Sequence, residues 1–155
     1  MRKKDILLVV LIFTLLGGCS LIGQKGYVIK ETYGENWKFA GGKLLFKGGE
    51  QEIKYSIAYI GKDEFQPFNL NFDFFIPLKN SENQKGIDNA EHLHSIINSY
   101  VGKKINNKYM KKNSFKGKLL DSEKDYDFEK LYLRISYEAD GKNYEEIIEL
   151  PMEDK

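Results

Sequence analysis

Two histidines, one cysteine, a run of lysines and a row of alternating acids are the residues of this 155-residue chain whose types and spacing could do chemistry. His92 and His94 are the chain's only histidines. On a helix they diverge by roughly 200°, so they cannot share a metal there. On a strand they share a face, but no third histidine exists and no zinc-ligand spacing occurs. A Ser-His-Asp hydrolase needs a positioned serine, and the Gly-x-Ser-x-Gly elbow is missing. The Gly-x-Gly-x-x-Gly and P-loop patterns are missing as well. A pair of catalytic carboxylates leaves no mark in a sequence, so a carboxylate-dependent enzyme is the alternative to a protein with no catalytic site. The expectation is no enzyme and no cofactor.

Asp121, Glu123, Asp125, Asp127 and Glu129 alternate along one segment, and hard cations favour such oxygen clusters. An EF-hand loop starting at Asp121 requires Gly at 126 and Glu at 132, where the chain has Tyr126 and Tyr132. A solvated acidic turn is expected, with a looser calcium site as the alternative. Lys103, Lys104, Lys108, Lys111, Lys112, Lys116 and Lys118 fall within 16 residues that contain no acid. Such a stripe suits an anionic polymer, such as wall teichoic acid, or anionic headgroups, at about 1 kcal/mol per basic residue near a membrane surface. The other reading is a lysine-rich strand pair that protects a sheet edge. Phe75, Tyr126 and Tyr132 fall off the core alternation and are candidates for an exposed aromatic contact, the other reading being a sandwich that needs aromatics on both faces.

The cysteine has a different context. Arg2, Lys3 and Lys4 precede an apolar run over residues 6–16, which is broken only by Thr14. A spanning helix needs about 20 apolar residues, so this run has the length of a signal-peptide core. Leu16-Gly17-Gly18-Cys19 follows. This stretch resembles the lipobox of bacterial lipoproteins, an aliphatic residue and two small ones before a cysteine. The resemblance implies diacylation of the Cys19 thiol, cleavage before it, and attachment to the outer face of the cell membrane. Two acyl chains hold a protein stably where one is marginal. Loss of residues 1–18 takes away three basic and one acidic side chain, so the formal charge falls from +1 to −1. Neither value argues for nucleic acid as a partner.

The remaining chain must position these residues, and its dominant period is two. Residues 19–34 read as the acylated cysteine and a tether, with Tyr27, Val28 and Ile29 as an optional first edge strand. From Trp37 onward, alternation marks half-buried strands. Trp37 and Phe39, then Leu44 and Phe46, flank Gly41-Gly42, a turn or a bulge. Ile53, Tyr55, Ile57 and Tyr59 share one face, with Lys54, Ser56 and Ala58 opposite. Phe68, Leu70, Phe72, Phe74 and Ile76 alternate most cleanly. Over residues 88–101 the period switches. Ala90, Leu93, Ile97 and Tyr100 are spaced three and four apart, which predicts an amphipathic helix capped at Asp88 and stopped at Gly102. Leu131, Leu133, Ile135 and Tyr137 form a further strand face. Asp140-Gly141 signals a type I′ hairpin, from which Tyr144, Ile148 and Leu150 run back to an end at Pro151. A single β-rich domain over residues 35–155 is expected.

Glu35-Asn36-Trp37-Lys38, Tyr59-Ile60-Gly61-Lys62-Asp63-Glu64, Gly141-Lys142 and Glu146-Ile147-Ile148 together resemble small surface lipoproteins of low-GC Gram-positive bacteria. The resemblance implies an immunoglobulin-like β-sandwich on a lipid anchor, and no defined activity. The cysteine-containing middle loop of some of those proteins is missing, and residues 88–101 stand in its region. The expected architecture is therefore mainly β: an immunoglobulin-like sandwich with one inserted helix over residues 88–101. The alternative is an α+β antiparallel sheet with that helix packed on one face. The expected function is a lipid-anchored, non-enzymatic binding or structural protein of the envelope. Its candidate partners are an anionic polymer or another envelope protein.

Overall fold

The computed structural model describes residues 25–47, 49–79, 86–99, 103–118 and 120–155. Cys19 and its leader lie outside the described residues. Among the described residues nine strands carry almost all the regular structure: β1 (Lys25–Ile29), β2 (Thr32–Tyr33), β3 (Trp37–Lys47), β4 (Glu50–Tyr59), β5 (Asn69–Pro77), β6 (Ala90–Ser99), β7 (Met110–Lys118), β8 (Lys130–Ala139) and β9 (Lys142–Asp154). Their order is β6-β5-β8-β9-β1-β3-β4-β7, with β2 attached to β3. Every pairing is antiparallel.

β9 turns this path into a nearly closed barrel. It pairs with β8 as far as Pro151 and with β1 from Met152 to Asp154. Pro151 therefore sits inside the strand, where one partner gives way to the next and its missing N–H costs least. Residues 25–29, read as tether with an optional edge strand over 27–29, are a strand between β9 and β3. The coarser expectation holds: the domain is mainly β, with antiparallel strands around one core. The strand path does not by itself establish the immunoglobulin-like arrangement of two separate sheets, since β9 joins the pairings of β5, β6 and β8 to those of β1, β3, β4 and β7.

The inserted helix is replaced by a 3-10 turn over Gly86–Asn89 and the strand β6. The reason is local. Phe75 pairs with His92 and Phe74 with His94, so Leu93 is the extra residue of a β-bulge. A bulge resets the two-residue period by one step. The spacing of Ala90, Leu93 and Ile97 marks no single face: Ala90 and Ile97 pair with Pro77 and Asn71 in the outer phase, where Ile97 is 71% exposed, and Leu93 is the buried bulge residue. Tyr100 and Gly102 lie outside the described residues.

Gly41-Gly42 is a bulge within β3 and not a turn. The register slips between Phe39 and Gly42, and Gly41 has φ 105°. A Cβ on Gly42 would meet the Lys54 carbonyl oxygen at 2.4 Å. The slip keeps Trp37 and Phe39 on the inner side together with Leu44. Asp140 (φ 52°) and Gly141 (φ 70°) form the expected hairpin.

The inward row of each strand fills the barrel with one cluster that includes Trp37, Phe39, Ile53, Ile57, Phe72, Phe74, Leu133 and Leu150. Each such side chain stabilises the fold by about 1.5–3 kcal/mol relative to exposure. Trp37, wholly buried, meets the rings of Tyr59, Phe65, Phe72, Tyr109 and Tyr137 edge-on. Phe65 bridges to Ile105 over that end, and Leu78 bridges to Tyr126 over the other. Phe68, placed by its alternation in the core, lies ahead of β5 and is 64% exposed.

Candidate binding surfaces

Alternation sends one lysine row of each of β3, β4 and β7 to the outside. Lys43 on β3 pairs with Lys54 on β4, and Lys54 pairs with Ser114 on β7. Lys112 and Lys116 flank Ser114 at two-residue spacing, so both lie diagonal to Lys54. Glu52 sits beside Lys54 on β4 and opposite Lys116 on β7, two residues after Glu50 in the same outward row. Its Oε1 accepts from Ser114 Oγ at 2.8 Å and lies 3.4 Å from Lys54 Nζ. The Ser114 hydrogen bond, then the charges of Lys54 and Lys116, hold Glu52 below its ordinary pKa.

Of the seven lysines singled out in the sequence, Lys112 and Lys116 join this patch. Lys118 continues β7 opposite Glu50. Lys111 takes the other phase of the strand, and burial pushes its ammonium pKa down. Lys103 and Lys108 are exposed in the connection ahead of β7. Lys104 is paired with Glu64 at 2.7 Å. Lys43 and Lys54 were not in the stripe because the barrel, not the sequence, brings them beside β7. Their outward phase within their own strands was the available signal.

The histidines do not act together. The bulge at Leu93 puts them on opposite sides of β6, where a regular strand would align them. His94 stacks on Phe115 of β7 at 3.4 Å between ring centroids. His92 belongs to a polar cluster on the outer face of β5, β6 and β8 that the sequence did not reveal. Asp73, 6% exposed, accepts from Arg134 Nε and Nη2 at 3.2 and 3.1 Å and from the Ser95 hydroxyl. His92 Nε2 lies 2.8 Å from Ser95 Oγ and 3.7 Å from Asp73. The Ser95 hydroxyl carries one proton and gives it to Asp73, so His92 Nε2 must be the donor to Ser95. A hydrolase triad places the imidazole between serine and acid. Here the serine stands between, and the arrangement clamps a carboxylate without activating a nucleophile. Cross-strand pairing of Asp73 with Ser95 and Arg134 builds it.

The acidic segment folds upon itself. Asp121 and Asp127 accept from the backbone N–H groups of Glu123 and Glu129, and Asp125 pairs with Lys79. Among the described residues no group of three or more His, Cys, Asp or Glu side chains is placed to hold a metal. Phe75, Tyr126 and Tyr132 are buried and form no exposed aromatic contact. Phe75 and Tyr132 pair on the outer face, beneath Arg134 and Lys130 respectively. Tyr126 reaches Glu91 Oε2 through its hydroxyl at 2.7 Å. Long cationic side chains cover apolar rings in this way, and sequence alternation cannot register such cover.

Compared with known protein families, curated proteins and solved structures, the chain matches none of them.

Proposed function

We propose that this chain is a lipid-anchored, non-enzymatic protein of the bacterial envelope whose barrel holds a phosphate-rich polyanion on the outer face of β3, β4 and β7. One observation carries the reading: Lys43 and Lys54 stand directly opposite each other, with Lys112 and Lys116 diagonal to Lys54, and Glu50 and Glu52 are the acids of the same outward row of β4. Like charges in opposed positions cost stability. A bound polyanion reverses that cost, because each ammonium then meets a phosphate.

The anchor supplies the address. Lys25 opens β1 six residues after Cys19, a span of about 20 Å at full extension. Acylation of Cys19 would also consume the chain's one thiol and exclude thiol chemistry.

Two experiments test the reading. Palmitate labelling should mark the wild-type protein and be lost in Cys19→Ala. For the face, the full chain in neutral nanodiscs is titrated with poly(glycerol phosphate), and separately with phosphatidylglycerol vesicles. Polymer binding that weakens with salt and fails in a Lys43→Gln, Lys54→Gln, Lys112→Gln, Lys116→Gln variant is expected. Binding to the vesicles alone would assign the face to lipid headgroups. Binding to neither would remove the polyanion from the proposal.

A further inference from the structure

The side of the barrel away from the lysine face carries a second, chemically different site. On the outer face of β5, β8 and β9, next to the Asp140-Gly141 hairpin, a groove of about 300 Å³ is lined by Asn69, Asn71, Ser136, Glu138, Asn143 and Glu145. That volume is at the lower end for small-ligand sites, which span about 300–1,000 Å³. Register explains the convergence. Asn71 pairs with Ser136, Ser136 with Glu145, and Glu138 with Asn143, so the side chains form two adjacent rows on one face.

These polar groups are uncommitted. Among the described residues, the side chains of Asn69, Ser136, Glu138, Asn143 and Glu145 make no hydrogen bond or ion pair with one another or with their neighbours. Asn71 Oδ1 is shut off from water and has no partner. Arg134, the nearest cation on this face of β8, is committed to Asp73.

The donor and acceptor types define the ligand. Amide side chains give and accept at once, carboxylates accept from pairs of hydroxyls, and a serine hydroxyl does either. With two carboxylates and no cation in the groove, an anionic ligand is repelled. Tyr144 also lines the groove. Its ring takes the opposite phase from Asn143 and Glu145 and stacks on Tyr137 toward the core side of the sheet, with centroids 5.0 Å apart, so recognition in the groove falls to the polar rows. We infer that the groove binds a neutral saccharide of N-acetylated amino sugars, whose hydroxyl and acetamido groups match this set. The inference is independent of the lysine face and of the anchor. If both faces are occupied, the barrel joins a polyanion to a neutral glycan.

The test uses the full chain in detergent micelles, titrated with tetra-N-acetylchitotetraose. Calorimetry and the side-chain amide resonances of Asn69, Asn71 and Asn143 report binding. Saturable heat with shifts confined to those amides is expected. Asn71→Leu and, separately, Ser136→Ala should each weaken binding at least about tenfold, or 1.4 kcal/mol, with unchanged melting. Lys112→Gln should leave it unaltered. Tetragalacturonate, an acidic oligosaccharide of equal length, should not bind. No heat or shift with the chitotetraose at about 10 mM overturns the proposal, since that limit leaves less than 3 kcal/mol of affinity. Equal binding by the acidic sugar, or binding unchanged in both groove variants, overturns it as well.

Discussion

The His94 imidazole lies flat on the Phe115 ring, 3.4 Å between centroids and 8° from parallel, where β6 and β7 face each other. These strands are the two ends of the hydrogen-bonded path, so this stack ties the barrel at its seam. Burial, then the charge of His92, lowers the His94 pKa, and Asp73 opposes them weakly. A histidine with a lowered folded-state pKa binds fewer protons folded than unfolded. Its contribution is complete above the unfolded value of about 6.5 and is lost as pH falls from there through the lowered one. Melting temperature should therefore drop between pH 7.5 and the acid side of that window. His94→Phe keeps the ring contact and should remove this part of the drop. Parallel pH profiles for wild type and variant would break the link to His94.

Arg134 and Asp73 should show strong energetic coupling. Arg134→Met leaves Asp73, 6% exposed, with the Ser95 hydroxyl and the more distant His92 ring, and should destabilise by about 1–3 kcal/mol in urea denaturation. Asp73→Asn combined with Arg134→Met should cost less than the two changes summed, with a coupling of about 0.5–3 kcal/mol. Additive costs would mean that the guanidinium does not stabilise the carboxylate.

Residues 90–99 separate two accounts of the fold. As an edge strand they should give amide exchange protection on alternate residues and no helical minimum in far-ultraviolet circular dichroism. Leu93 is the inward residue of the bulge at 9% exposure, so Leu93→Ala should cost about 2–4 kcal/mol and Leu93→Asp should unfold the domain. Ile97→Asp, at 71% exposure, should be tolerated. The helix expected from the sequence makes the opposite claim for Ile97, and severe loss there would restore it.

What the sequence exposed and what it hid follow from how far each signal reaches. Strands β4, β5 and β8 were legible because Ile53 to Tyr59, Leu70 to Ile76 and Leu131 to Tyr137 alternate between a wet and a dry side. The hairpin was legible because Asp140-Gly141 needs positive φ. β6 was misread because one bulged residue, Leu93, imitates helical spacing. Half of the lysine patch was visible as Lys112 and Lys116. The other half, Lys43 and Lys54, depends on which strands become neighbours, and so do Asp73 with Arg134 and the amides of the groove. Cross-strand sites join residues tens of positions apart, and no local period encodes them.

The hairpin between β8 and β9 should be sensitive to one methyl group. Gly141 has φ 70° and open space around its Cβ position, so the strain of Gly141→Ala is conformational and not steric. The change should destabilise by about 1 kcal/mol and raise amide exchange at Ala139 and Lys142, the pair that closes the turn. Gly141→Asn, which tolerates the left-handed region, should cost less. Equal costs for the two would rule out the turn conformation as the cause.

Lys43→Gln should set stability against binding. Lys43 is exposed, forms no ion pair among the described residues, and faces Lys54 across the strand pair. Its removal relieves a like-charge opposition without breaking an existing pair. Melting temperature should rise on the order of 1 °C at low salt, and the gain should vanish near 1 M, where the screening length is about 3 Å. Poly(glycerol phosphate) binding should weaken in the same variant, with a shallower salt dependence. A residue that costs the free protein stability yet strengthens a complex is held for the complex. A variant that is both less stable and unchanged in binding would make the lysine face a means of keeping the β7 edge solvated.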